Sequence, residues 1–102
     1  MSRLGAAQIK VLEAVAGGIG YGFDIMDQTG LASGSVYPAL SKLEKSRLVH
    51  SRWESAIVAR REKRPPRRYY EITAPGHEAL ADALAQARDL ARSLAKAVKR
   101  SS

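Results

Sequence analysis

Residues 34–49, GSVYPALSKLEKSRLV, decide how the rest of the chain is read. Val36, Leu40 and Leu43 recur at i, i+4 and i+7, with Leu48 and Val49 just beyond. That spacing predicts one buried face of a single helix. Ser35, Lys42 and Lys45 lie on the other face, with Tyr37 at its edge. Two readings fit: an ordinary amphipathic surface helix, or a helix whose small hydroxyls and lysine lie against a polyanion and reach base edges. Pro38 leaves the helix start open. With Ser35 as N-cap it sits harmlessly in the first turn; with Ser33 as cap, a kink near Tyr37 is expected.

The flanks favour the second reading. Upstream, residues 21–29 predict a short helix with Ile25 and Met26 inward, stopped by Gly30. Before it, Leu4, Ala7, Val11, Leu12 and Val15 predict a helix over residues 4–16, ended by Gly17, Gly18 and Gly20. A short helix, a three-residue turn and a helix that is basic on its outer face make a helix-turn-helix.

Downstream the period changes to two. Val49, Ser51 and Trp53 alternate with His50, Arg52 and Glu54, and RYYEI at 68–72 is a second β-favouring run. Between them, AIVARREKRPPR reads as a basic loop, so the pair forms a β-hairpin wing. Residues 60–68 hold Arg60, Arg61, Lys63, Arg64, Arg67 and Arg68 against the single acid Glu62, a net +5 where the whole chain is +7. Such a run is either a solvated loop or a clamp on phosphates and a minor groove. Trp53, Tyr69 and Tyr70 read as cross-strand packing, or as part of a ligand or DNA surface.

Thr73 predicts the N-cap of a last, alanine-rich helix. Leu80, Leu84, Ala87, Ala91, Leu94 and Val98 step by 4 and 3, and Leu90 widens the stripe. An apolar stripe of that length on so small a domain suits a two-fold dimer interface, although its turns could also pack back on the first helix.

Composition narrows the function. The chain has 102 residues, 17 Lys+Arg, 10 Asp+Glu and a pI near 10.1, which favours an acidic partner: nucleic acid first, an anionic membrane surface second. It has no cysteine, which suits a reducing cytoplasm. No apolar run is long enough to span a membrane, and Lys10 and Glu13 interrupt the N-terminal apolar region, so no signal peptide is read. His50 and His77 lack companion ligands, so no metal or other cofactor is expected. No nucleophile–base pair, phosphate-binding glycine loop or acid/base dyad is present, so the chain reads as a non-enzyme.

In this order, the pieces resemble the PadR-type winged-helix transcriptional regulators. The resemblance rests on GFDI at 22–25, SGSVYPALSKLEKSRLV at 33–49 and RPPRRYYEITAPG at 64–76. There are departures: Arg47 stands where the family commonly has glycine, and Ala32 and Ser33 replace its usual Ser-Pro start. The resemblance implies dimers joined through the last helix, mostly repressors, many responding to small aromatic or hydrophobic effectors near that interface. A single C-terminal helix implies the short form.

The expectation is therefore a mainly α fold with a small β-hairpin. Residues 1–73 form a winged helix-turn-helix DNA-binding domain, and residues 74–102 a C-terminal dimerisation helix continuous with it. The function expected is sequence-specific binding of double-stranded DNA at an inverted repeat by a homodimer. Ser33, Ser35, Tyr37 and Lys42 would face the major groove, and the six wing cations the flanking backbone. The rival is a winged helix that binds another regulator instead of DNA.

Overall fold

The computed structural model describes residues 4–101. Residues 1–3 and 102, the ends of the two expected units, lie outside the described residues. The order is α1 (Ala6–Ala16), α2 (Gly22–Thr29), α3 (Ser33–Lys45), β1 (Val49–Trp53), α4 (Ala56–Arg61), β2 (Arg68–Ile72) and α5 (Ala74–Ser101). This is the expected winged helix-turn-helix. The hairpin pairs antiparallel, Val49 opposite Ile72 and Trp53 opposite Arg68. Tyr21 adds an isolated bridge to Tyr69, and the Tyr70 amide donates to the Gly20 carbonyl at 2.9 Å. The segment between α1 and α2 thus covers the free edge of β2.

The apolar spacing builds the core directly. Val11, Leu12 and Val15 of α1, Ile25 of α2, and Val36, Leu40 and Leu43 of α3 are buried together, closed by Leu48 and Val49. α3 turns into β1 through a Schellman motif: the Leu48 amide donates to the Leu43 carbonyl at 2.9 Å, and the Arg47 amide to that of Glu44 at 3.0 Å. Arg47 takes the left-handed position at φ 61°, as its departure from glycine implied. Arg47→Gly is accordingly expected to stabilise the domain by about 0.5–1 kcal/mol, read as a raised denaturant midpoint at unchanged slope.

Three expectations need correction. First, neither expected cap starts α3. Ala32, extended and without a side-chain cap bond, precedes Ser33 as the first helical residue. Pro38 therefore falls in the second turn, yet the helix runs on unbroken to Lys45. The carbonyl that loses its donor belongs to Gly34, which is exposed, so solvent satisfies it. Second, the supposed basic loop contains α4. Ser55 caps it, accepting from the Ile57 amide at 3.2 Å, and Ala59 is buried on its inner side. Lys63 closes it in a second left-handed turn at φ 56°, with the Arg64 amide on the Ala59 carbonyl at 3.1 Å. Third, the apolar spacing puts Leu80 in a dimer interface, but it is buried in the chain's own core. The first turns of α5 dock there because Gly76 lets the helix backbone meet the Leu48 carbonyl, where any side chain would collide.

The Thr73 hydroxyl caps α5 as expected, accepting from the Gly76 amide at 3.0 Å. It also donates to the carbonyls of Arg47 and Leu48, at 2.7 and 3.0 Å. Beyond its docked turns α5 runs free, and the molecule measures 62 × 25 × 20 Å. Leu84, Leu90, Leu94 and Val98 are 37, 60, 57 and 69 % exposed. Ala87 and Ala91 are exposed between them.

Candidate nucleic-acid interface

Because the apolar face of α3 is fixed in the core, its remaining residues must face out. Ser33, Tyr37 and Lys42 are exposed and Ser35 is half-buried. Tyr37 has a second role. Its ring occupies the space a side chain at Gly22 would fill, with the hydroxyl 2.7 Å from that Cβ position. Tyr37 therefore locks the first turn of α2 against α3 while its rim faces solvent.

The six wing cations separate into two groups. Arg64 is bound in a bidentate pair to Glu54, one limb at 2.9 Å. Both side chains are largely buried, and the Arg64 hydrogen bond holds the Glu54 carboxyl below its usual pKa. The Arg67 amide donates to the same carboxylate at 3.3 Å, and the Arg67 guanidinium lies 4.2 Å over the Tyr21 ring. Arg68 donates to Ser51 Oγ at 2.9 and 2.7 Å and to Glu44 Oε1 at 3.1 Å, and Ser51 Oγ donates to Glu44 Oε2 at 2.5 Å. Arg64 thus closes the wing on itself, while Arg67 braces it against Tyr21 at the start of α2 and Arg68 against Glu44 of α3. For Arg64 this corrects the role given from sequence: its guanidinium is taken up by Glu54 rather than offered to a phosphate. Arg60, Arg61 and Lys63 are exposed, with no ion pair among the described residues.

A groove of about 630 Å³ runs between the two elements, lined by Tyr37 on α3, Trp53 on β1 and the segment from Arg64 to Arg68. Tyr70 forms part of its lining, and burial pushes that phenol up in pKa. Tyr37 of α3 thus shares one groove with Trp53 and the Arg64–Arg68 segment of the wing, while Lys42 of α3 and Arg60, Arg61 and Lys63 of the wing are exposed outside its lining. The other face of the hairpin carries Glu71, paired with Arg52 at 2.8 Å and His50 at 3.5 Å; the Arg52 hydrogen bond lowers the Glu71 pKa.

Sequence reasoning missed the bracing partners Glu44, Ser51 and Glu54. A signal existed for Ser51, which falls on the same face as Arg68 in any hairpin paired in this register. Among the described residues no group of three or more His, Asp or Glu is placed to hold a metal ion, and no helix is long and apolar enough to cross a membrane.

Comparison with known proteins agrees with the fold. The model of the transcriptional regulator PadR-like family matches residues 11–82. No curated protein sequence matches the chain. A PadR family transcription regulator from Clostridium difficile superposes with a TM-score of 0.78 at 21% identity, over 92% of this chain and 99% of its own. A PadR family regulator from Eggerthella lenta gives 0.74 at 23% identity, over 89% and 80%. A PadR-like regulator from Bacillus cereus gives 0.69 at 21%, over 89% of each.

Proposed function

The chain belongs to the PadR-like family of transcriptional regulators, and from that premise we propose that it acts as a cytoplasmic homodimeric repressor at an inverted-repeat operator. The observation that carries the reading is the groove shared by α3 and the wing, with the exposed cations Lys42, Arg60, Arg61 and Lys63 on the same two elements, on a chain of net charge +7. Ser33, Ser35 and Lys42 read base edges and adjoining phosphates in the major groove, with the rim of Tyr37 beside them. Arg60, Arg61 and Lys63 hold flanking phosphates, while Arg64, Arg67 and Arg68 keep the wing at the height this requires. The exposed part of α5 joins two copies and sets the half-sites about one helical turn, ~34 Å, apart.

Selection of bound duplexes from a random pool tests the reading. A palindrome with that spacing is expected; recovery of no preferred sequence would count against it. The roles separate by salt dependence. Arg60→Ala with Arg61→Ala should weaken binding to all duplexes and reduce the magnitude of the log K against log salt slope by about 0.9 for each phosphate no longer neutralised. Lys42→Ala should instead change the ranking of sequences, by about 1–3 kcal/mol at the base pair it reads. An unaltered salt slope in the double variant removes the wing as a phosphate clamp.

A further inference from the structure

The tip of the wing carries more than charge. α4 is six residues long, yet it is held from both ends and from below: by the Ser55 cap, by the turn at Lys63 that leads into the Arg64–Glu54 pair, and by buried Ala59. With Ala59 turned inward, a helical repeat of 3.6 residues turns Ile57 outward, and Ile57 is 62 % exposed. Arg60 and Arg61, three and four positions on, flank Ile57 on the same face. α4 thus displays a branched apolar side chain beside two exposed guanidinium groups. Resting on the DNA-binding reading above, we propose that Ile57 is a wedge: the wing tip pushes it from the minor groove between adjacent base pairs and bends the duplex, while Arg60 and Arg61 hold the phosphates on either side.

The dimensions require a deformation. A helix with its side chains is about 10–12 Å across, and the minor groove of relaxed B-DNA about 6 Å wide, so α4 reaches the base edges only if the groove opens. Partial insertion of an apolar side chain opens it, at the cost of unstacking one step. Charge selects DNA over the other occupants of an apolar tip. Cations border Ile57, and α4 begins three residues beyond Trp53, which lines the groove shared with Tyr37 of α3. A membrane would need a wider apolar face than a six-residue helix offers.

The test uses the full chain and an operator duplex from the selection above, labelled at its ends for energy transfer and carrying 2-aminopurine at the steps flanking each half-site. On binding, the wild type should bring the duplex ends closer and raise 2-aminopurine emission several-fold as the step unstacks. Ile57→Ser should fold normally, since the side chain is exposed, and lose both signals while affinity falls about 5- to 20-fold. Arg60→Ala with Arg61→Ala should lose affinity and salt dependence. The wedge is overturned by a wild-type complex with neither signal, or by an Ile57→Ser complex that retains both. Polyglutamate or phosphatidylserine vesicles bound through Ile57, with the DNA signals independent of it, also overturn the wedge and assign the tip to protein or lipid. A wild-type chain that binds no duplex overturns the DNA-binding reading itself, and the wedge with it.

Discussion

Glutamate at both Leu90 and Leu94 is expected to give a monomer that keeps its winged domain and loses operator affinity by about 10²–10⁴-fold, the loss that accompanies an uncoupled pair of half-sites. Both leucines lie on the free part of α5 and are more than half exposed, so the charges cost the single chain little. In a dimer they would be buried, each carboxylate without a partner. Leu84 is the weaker probe because it is less exposed, and Leu80 is worse because it lies within the core. The free stripe alternates Ala87, Leu90, Ala91 and Leu94, and the alanines admit a second helix at close range. Sedimentation gives the mass and titration of the operator the affinity. A dimer of undiminished affinity removes α5 as the interface.

Leu40→Ala should produce the largest loss of stability, about 2–5 kcal/mol. Leu40 is wholly buried on α3 and belongs to the cluster that joins α1, α2, α3 and β1. In a domain of this size that corresponds to a fall in Tm of roughly 8–40 °C at about 4–8 °C per kcal/mol. Lys42, two residues on but facing solvent, should leave Tm within about 2–4 °C when truncated, because surface changes stay within about 0.5 kcal/mol. The contrast between the two positions checks the facing of α3 without any DNA. Equal melting temperatures for the two variants would show that this facing is wrong.

The helix-turn-helix could be read in advance because its helices obey one rule, apolar residues at steps of three and four. Val36, Leu40 and Leu43 all lie where that rule sends them. RYYEI at 68–72 matches β2 because aromatic and branched residues favour a pleated, half-buried surface. The features that escape follow from contacts distant in sequence. α4 is too short to show a period, and its burial rests on one residue, Ala59. The start of α3 obeys no capping rule, since Ala32 offers the helix no side-chain acceptor. Leu80 and Leu90 look alike in sequence. They part only because Gly76 lets α5 lie close to Leu48 for its first turns, after which the domain ends. In the site, the cations are visible as a run of charge. Their division into braces and free hands is not, since it depends on Glu44 and Glu54 meeting Arg68 and Arg64 across the fold.

The passage from the wing into α5 takes one residue, Thr73, whose hydroxyl is tied to both Arg47 and Leu48. With no flexible linker there and its first turns docked on the core, a helix of 28 residues becomes an arm about 42 Å long held at one angle to the winged domain. Over that length a difference of about 10° in the angle displaces the far end by about 7 Å, or two steps of the DNA ladder at ~3.4 Å each. In a pair of chains clasped along these arms, the packing of Gly76 and Leu80 that fixes the angle decides whether the reading heads match the half-sites. Such an assembly would be tuned as a pair of calipers is, by its opening angle, with no contact to a base altered.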